Sequence, residues 1–186
     1  MQTVKIKEFS FVKYIDKVDI LNAIEKLAKQ ISADYKDSAE PPVLLVTLCG
    51  AMPFATYLAQ SMDIDTSWAF VRCSSYGASM TSGNFTMPVE PTVSVEGRDV
   101  IVAEDIVDSG KTWMYLYNYC MEKGAKSVKI AALTTKKDVY KGSLPIDYVA
   151  IELEDKFIVG FGLDYDQCGR HLSHIYQLDE SKEQSI

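Results

Sequence analysis

Three carboxylates and a glycine turn follow a short apolar run in the middle of the chain. The segment reads VIVAEDIVDSGKT from Val100 to Thr112, and its acids are Glu104, Asp105 and Asp108. A glycine at position 110 lets backbone N–H groups approach an anion, and a helix that starts there offers partial positive charge. Neighbouring Ser and Thr hydroxyls are further donors, whereas adjacent carboxylates accept hydrogen bonds from sugar hydroxyls and attract Mg²⁺. The segment therefore predicts a ligand with both a phosphate and a free ribose diol.

Two other interpretations fit parts of this segment. A Ser-Gly turn can cap a helix without any ligand, and acids at a strand end can simply be solvated. The density of polar groups directly after a buried strand favours a ligand site over both. The ending GKT also occurs in the Walker A phosphate loop, but that motif needs a glycine five residues before Gly110, where Asp105 stands.

The elements around this segment alternate between strands and helices, which predicts an α/β fold with a mostly parallel sheet and helices on its faces. Apolar residues at helical spacing predict a first helix over 19–31. Further helices are expected from Pro53 and from Ser109 or Thr112 to Gly124. The predicted strands are VLLVTL (43–48), TSWAFVR (66–72), DVIVAED (99–105), VKIAALTT (128–135), YVAIEL (148–153) and FIVGFGL (157–163). Residues 74–88 are expected to form a loop or a weakly paired hairpin, rich in Ser, Gly and Thr.

Composition places limits on the class of protein. A chain of 186 residues with 47% hydrophobic and 24% charged residues fits one globular domain. The net charge of −7 argues against nonspecific binding of nucleic acid. The N-terminus lacks the apolar stretch of a secretory signal, and no apolar run approaches the roughly 18 residues that span a bilayer. We therefore expect a cytoplasmic protein without a membrane segment.

The thiols and imidazoles do not form a metal-binding pattern. No CxxC pair is present, so the cysteines are predicted to be reduced thiols rather than disulfide or zinc ligands. They are Cys49, Cys73, Cys120 and Cys168. His171 and His174 have no nearby cysteine partner except the isolated Cys168, and a surface or capping role is favoured for them over metal binding.

The segment from Glu104 to Thr112 resembles the binding signature of type I phosphoribosyltransferases, an acidic pair and a hydrophobic dyad followed by Asp-Ser/Thr-Gly-Lys-Thr. Over about residues 40–178 the chain is similar to the 6-oxopurine salvage enzymes of this class, the hypoxanthine-guanine phosphoribosyltransferases. LCGAMPFATYLAQ resembles their pyrophosphate loop, VRCSSYGASMTSG their mobile Ser-Tyr loop, and LEDKFIVGFGLDYDQCGRHLSHIY their purine-site segment. The resemblance implies one domain over 1–186, with a core of about 38–150 and a small hood from about 1–15 and 151–180.

The resemblance implies transfer of the 5-phosphoribosyl group of PRPP to N9 of hypoxanthine or guanine, giving IMP or GMP and pyrophosphate, with Mg²⁺ as cofactor. Glu104 and Asp105 would then accept hydrogen bonds from the ribose 2′ and 3′ hydroxyls, and their charge would favour an oxocarbenium-like transition state. Asp108 would manage the proton on purine N7 as general acid/base. The 5′-phosphate would be bound by Asp108, Ser109, Gly110, Lys111 and Thr112.

The purine site implied by the resemblance lies further along the chain. Phe157 would stack on the base, and the backbone at Ile158 would contact its edge. Lys136 would donate to the 6-oxo group, which disfavours adenine because its 6-amino group is itself a donor. Taken without the resemblance, KFIVGF reads more simply as a core strand, and a lysine at a strand end is usually solvated.

The pyrophosphate site implied by the resemblance includes Cys49, Gly50 and Arg170, with Asp164 as a metal-coordinating carboxylate together with Glu104 and Asp105. Many relatives have a lysine where Cys49 stands, so this loop would bind pyrophosphate mainly through its backbone. Relatives often hold the corresponding peptide bond, Leu48–Cys49, in the cis form. A reactive role for Cys49 is disfavoured, because no histidine lies near it in sequence.

Ser75 and Tyr76 belong to the block that resembles the mobile loop, which would close over the reacting centre and exclude water. The family also implies a homodimer or homotetramer. The helix WMYLYNYC (113–120) could supply an interface, although a buried core helix is the favoured interpretation. Two other functions stay open: a xanthine-preferring or pyrimidine-using relative, and a non-catalytic nucleotide-sensing regulator of the same fold. A regulator would be expected to carry a basic face, and the sequence has no clustered Lys/Arg stripe.

Overall fold

The computed structural model describes residues 2–76, 84–136 and 139–181. The described residues form ten strands and three helices. In chain order these are β1 (Thr3–Ile6), β2 (Phe9–Ile15), α1 (Lys17–Tyr35), β3 (Val43–Thr47), α2 (Met52–Ser61), β4 (Ser67–Tyr76), β5 (Asn84–Val89), β6 (Asp99–Val107), α3 (Lys111–Glu122), β7 (Ser127–Lys136), β8 (Tyr148–Leu153), β9 (Ile158–Val159) and β10 (Ile175–Leu178). None of the described helices has the length and apolar character needed to cross a bilayer.

A six-stranded sheet in the order β5-β4-β3-β6-β7-β8 is the centre of the fold. Its pairs are parallel except for β4 and β5, which confirms the predicted α/β class. Alternate residues of the buried strand β3 face opposite sides, with Leu44 packed under α1 and α2 and Leu45 packed under α3. Every residue of β3 is buried, as expected for a central parallel strand that helices cover on both faces.

A second, four-stranded antiparallel sheet in the order β1-β2-β10-β9 forms what we call the hood. Its own small core contains Phe11, Val159 and Tyr176. The hood is joined to α1 by His174, whose Nδ1 accepts a hydrogen bond from the backbone N–H of Lys17 at 2.9 Å. The capping role predicted for this histidine is therefore confirmed.

The prediction of a strand over FIVGFGL (157–163) is wrong for most of its length. Only Ile158 and Val159 are in strand conformation. The next three residues, Gly160, Phe161 and Gly162, have φ angles of 98°, 52° and 103°. Positive φ is incompatible with an extended strand, so the chain turns here although its residues remain apolar.

Two other elements differ from their predicted bounds in ways that concern the site. β6 was predicted to end at Asp105 but continues to Val107, so Glu104 and Asp105 lie within the strand and not at its last positions. β4 and β5 pair in antiparallel orientation, as in the hairpin that was one of the two forms expected for residues 74–88, and residues 77–83 between them lie outside the described part of the chain.

Helix α3 packs into the core on one face. Trp113, Leu116 and Cys120 are buried, which confirms the core interpretation of this helix. The helix begins at Lys111, after Gly110 in a left-handed conformation with φ of 77°. A β-carbon at Gly110 would overlap the ring of Tyr140, so both the backbone angle and the close contact require glycine at this turn.

Candidate active site

The turn between β6 and α3 encloses a cavity of about 240 Å³. The N-cap of α3 is Gly110, which has no side chain to cap the helix, so backbone N–H groups at its start are left for a ligand. Such groups, together with the positive end of the helix dipole, form an anion site. The lining residues are Glu104, Ile106, Val107, Asp108, Ser109, Gly110, Lys111, Thr112 and Trp113. All five residues predicted to bind a phosphate therefore surround one cavity.

A second cavity of about 220 Å³ lies between the end of β6 and the hood. It is lined by Asp105, Ile106, Asp108, Lys136, Lys156, Phe157, Ile158, Leu163 and Asp164. The three residues predicted for purine binding are among them, and the ring of Phe157 is 46% exposed. Asp108 lines both cavities, so it stands where a phosphate-bearing group and a planar base would meet.

The adjacent acids of β6 are in surroundings that disfavour their charge. Burial, with the neighbouring Asp105 charge, raises the pKa of Glu104. Burial also raises the pKa of Asp105, although the Ile106 N–H, which donates to its Oδ1 at 2.9 Å, and the Arg170 guanidinium oppose this. The buried Oε2 of Glu104 has no hydrogen-bond partner among the described residues. A ligand that brings hydroxyl donors or positive charge would satisfy this atom.

Asp164 and Arg170 are joined by an ion pair of 2.8 Å between Oδ1 and Nη2. A two-residue hairpin brings them together: Tyr165 and Cys168 exchange backbone hydrogen bonds of 2.9 Å around Asp166 and Gln167. Both turn residues have positive φ, 45° and 65°, as tight hairpin turns require. The second oxygen of Asp164 accepts the Gln167 N–H at 2.8 Å, so both oxygens are engaged within the chain.

The loop after β3 approaches Asp105 and the Asp164–Arg170 ion pair. The Leu48–Cys49 peptide is cis, the Cys49 side chain is exposed and Gly50 is buried. A β-carbon at Gly50 would overlap the Asp105 carboxylate and come within 3.3 Å of Arg170 Nη1. Glycine at this position therefore lets the loop, the end of β6 and the Asp164–Arg170 hairpin meet at one point.

Lys136 ends β7 at the wall of the second cavity, with only 14% of its side chain exposed. Its Nζ donates to Asp155 Oδ1 at 2.7 Å. Phe157 is positioned by the hood, with its ring centroid 6.3 Å from that of Phe11 and 5.9 Å from that of Tyr165. The two ends of the predicted purine site are thus positioned by different layers of the fold.

Ser75 and Tyr76 end β4, where they pair with Phe85 and Asn84 of β5. Their side chains and residues 77–83 lie outside the described part of the chain, so closure of this loop stays a prediction.

Two of the cysteines, Cys73 and Cys120, have thiols that are poor nucleophiles. Burial, assisted by the charge of Glu104, raises the pKa of Cys73 to about 11. Burial and the nearby Cys73 raise the pKa of Cys120 to about 12. Over residues 2–76, 84–136 and 139–181, no cluster of three or more His, Cys, Asp or Glu side chains could hold a metal by itself.

A family model described as the phosphoribosyl transferase domain matches residues 14–166 of the chain. The chain belongs to this family. It is 37% identical over 163 residues to the hypoxanthine-guanine phosphoribosyltransferase of Streptococcus thermophilus, covering 87% of this chain and 89% of the relative. The solved hypoxanthine-guanine phosphoribosyltransferase of Bacillus anthracis is similar with a TM-score of 0.85 and 31% identity, covering 94% of this chain and 100% of that one. The solved hypoxanthine phosphoribosyl transferase of Trypanosoma cruzi is similar with a TM-score of 0.87 and 29% identity, covering 97% of both chains.

The structure of this phosphoribosyl transferase adds site residues that the sequence did not indicate. Tyr140 packs against Gly110 behind the phosphate turn, Asp155 pairs with Lys136, and Gln167 contacts Arg170 at 3.3 Å. The one local signal was the Asp-Gln pair at 166–167, since acidic and amide residues are common in tight turns. The other two positions depend on packing between segments, which no short motif records.

Proposed function

We propose that this phosphoribosyl transferase moves the 5-phosphoribosyl group from PRPP to N9 of hypoxanthine or guanine, giving IMP or GMP and pyrophosphate. The observation that carries the proposal is the position of Asp108, which lines both the phosphate cavity and the base cavity. The relatives of 34–37% identity that bear the name hypoxanthine-guanine phosphoribosyltransferase support the same reaction. The enzyme acts in the cytoplasm as one domain over 1–186, with a core of about 38–150 and a hood from about 1–15 and 151–180.

The 5′-phosphate binds at the turn before α3. Backbone N–H groups and the hydroxyls of Ser109 and Thr112 donate to its oxygens, and the absence of a side chain at Gly110 allows close approach. Lys111 adds positive charge beside this turn. Glu104 and Asp105 accept hydrogen bonds from the ribose hydroxyls, which gives the unpartnered Oε2 of Glu104 a donor.

The base binds in the second cavity against the exposed ring of Phe157, and the backbone of Ile158 contacts its edge. Lys136 donates to the 6-oxo group. An ammonium has three donors and no acceptor, so it favours an oxo purine over an amino purine.

Bond exchange takes place between these two subsites. The bond from ribose C1′ to pyrophosphate breaks as the bond from C1′ to purine N9 forms, and positive character grows on the ribose. The acids of β6 lie beside it, and although burial raises their pKa values, positive character on the ribose favours their ionised form, which in turn stabilises that character. Asp108 accepts the proton that the base must lose and returns it on the reverse reaction.

Mg²⁺ fits the acids of this site as the cofactor, bound with PRPP. Magnesium commonly uses one or two protein carboxylates with substrate oxygens, so a three-carboxylate cluster is not needed. Asp164, which lines the base cavity, would hold the ion, with Asp105 of the same cavity and Glu104 of the phosphate cavity as further ligands. A bound ion would supply positive charge to neutralise the charge that develops on the pyrophosphate.

The leaving pyrophosphate is held by the backbone at Cys49 and Gly50 and by Arg170, whose planar donor fork suits phosphate oxygens. Asp164 pairs with Arg170, so the residue that would hold the ion and the residue that would hold pyrophosphate are already adjacent. Ser75 and Tyr76 close over this centre and exclude water.

The reaction is tested with a panel of bases. The purified chain with PRPP and Mg²⁺ should release pyrophosphate in the presence of hypoxanthine or guanine, and much more slowly with adenine. Omission of Mg²⁺ should abolish release. Turnover with xanthine alone would move the assignment to a xanthine-preferring enzyme. Absence of turnover with all of these bases would refute the proposal and favour a nucleotide-binding regulator.

The enzyme is proposed to form a homodimer or homotetramer. The C-terminal region of the Trypanosoma cruzi relative has been studied for its role in oligomeric state. In this chain Trp68 and Phe70 expose 37% and 38% of their surface on one strand, with ring centroids 6.1 Å apart. Exposed aromatic pairs are typical of association surfaces. Size-exclusion chromatography with light scattering should give a molecular mass of two or four times 20.8 kDa. Phe70→Glu should lower that mass. A monomeric wild type would contradict the assignment.

A further inference from the structure

We propose that Asp155 governs the selection of the purine by holding the Lys136 ammonium in position at the base cavity. The inference rests on the proposed function and deepens it. Asp155 stands in the connection between β8 and β9 and is 65% exposed, whereas Lys136 at the end of β7 is 14% exposed. The two are 19 positions apart and are joined by a contact of 2.7 Å.

The ion pair fixes the direction of the ammonium. A lysine side chain has four rotatable bonds, so an unpaired ammonium samples many positions and must lose that freedom when it binds a base. Asp155 takes one of the three N–H donors of Lys136 and leaves two for an acceptor within the cavity. Because the ammonium is already placed, an oxo group gains its full hydrogen bond. An amino group at the same position meets a fixed donor.

The cavity also contains carboxylates that would compete for this ammonium. Asp105, Asp108 and Asp164 all line the cavity that Lys136 lines. A largely buried ammonium that loses its partner seeks another negative group, since an unpaired buried charge is costly. Transfer of Lys136 to Asp108 would withdraw the donor from the base and engage the proton acceptor at once. Asp155 therefore acts as a positioning residue that keeps the positive and negative groups of the cavity apart.

A neighbouring ion pair provides a matched control. Glu154 directly precedes Asp155, has a similar exposure of 75%, and pairs with Lys156 at 3.1 Å. The Lys156 ammonium lies over the Tyr14 ring at 5.4 Å from its centroid. Glu154→Gln thus removes a carboxylate from the same connection without removing the partner of Lys136.

The test compares steady-state kinetics and nucleotide binding of the wild type with Asp155→Asn, Asp155→Glu and Glu154→Gln. Asp155→Asn should raise the KM for hypoxanthine by roughly tenfold, the size of one charge-assisted hydrogen bond, and leave the KM for PRPP within about twofold. Titration calorimetry should show the ratio of IMP to AMP affinity falling by about the same factor. Asp155→Glu, which keeps the carboxylate, should retain most of the wild-type selectivity, and Glu154→Gln should match the wild type throughout.

Several results would overturn the inference. Equal increases in the KM for base and for PRPP would indicate a general structural defect, and a similar effect of Glu154→Gln would make the role of Asp155 nonspecific. If the wild type is active and Asp155→Asn has the same KM values and the same ratio of IMP to AMP affinity, this inference alone is refuted. A wild type that neither turns over any base nor binds IMP would remove the proposed function, and this inference with it.

Discussion

Replacing Asp108 by Asn is expected to lower kcat by about 100-fold or more, the size typical of losing a general base. The substitution keeps the shape of the side chain and its ability to hydrogen bond, but an amide cannot take up the proton that the purine loses. Because Asp108 lines both cavities, no other described acid is placed equally well between phosphate and base. Pyrophosphate release from hypoxanthine and PRPP measures the effect.

Measuring the affinity for the nucleotide product distinguishes a defect in proton transfer from damage to the binding site. Asp108→Asn should bind IMP within about tenfold of the wild type, since the phosphate turn retains its backbone donors. Asp37→Asn, at an exposed acid in the turn after α1, is the control for charge change and purification. An Asp108→Asn enzyme with wild-type turnover would exclude Asp108 from proton transfer. One that binds no IMP would show that its main role is to shape the phosphate turn.

Replacing Glu104 by Gln is expected to stabilise the fold and weaken the enzyme at the same time. The wild-type side chain is buried beside another acid and has an unpartnered oxygen, so its charged form is disfavoured in the folded state. Removing the charge should add about 1 to 3 kcal/mol to the free energy of unfolding at neutral pH. The loss of negative charge beside the ribose should lower kcat by about 10- to 100-fold.

The stability difference between Glu104→Gln and the wild type should depend on pH, and the raised pKa of Glu104 determines the direction of that dependence. The folded pKa of Glu104 is raised above its ordinary value of 4.5. Below that value the side chain is protonated in both the folded and unfolded states and carries no electrostatic penalty. As the pH rises above it, the unfolded state releases its proton first, and the wild type loses stability relative to Glu104→Gln. Urea denaturation at pH 4, 6 and 8 should show a difference that widens with pH, and a constant or narrowing difference would contradict the argument.

The grouping of the residues proposed to bind ribose and phosphate could be predicted from sequence because these residues are local in the chain. Residues Glu104 to Thr112 occupy one strand end, one turn and one helix start, so their order in the chain nearly determines their arrangement. Gly110 indicated the turn, and the structure places it in the left-handed conformation that suits glycine. The prediction of a strand over residues 157–163 was wrong because a run of apolar residues predicts burial but does not predict the backbone φ angles. The glycines at 160 and 162 were the signal that the run would turn.

The contacts that connect the subsites could not be predicted in this way. Lys136 and Asp155 meet because β8 returns beside β7, and Gly50 meets Asp105 because the loop after β3 crosses the end of β6. Each contact depends on the packing of segments that are distant in sequence. The residues proposed to bind the purine were predicted by resemblance, whereas the groups that contact them follow only from the fold.

The strand order of the hood has a consequence for how the enzyme is made. Strand β2 leaves the ribosome long before its neighbour β10 is translated. The contact between Lys17 and His174 beside this pair spans 157 positions. Such distant pairing is slow to form, and an unpaired strand edge is prone to aggregate. The nascent chain must therefore keep the open edge of the β1–β2 hairpin out of wrong pairings until β10 has been translated, and only then can the sheet of the hood be completed.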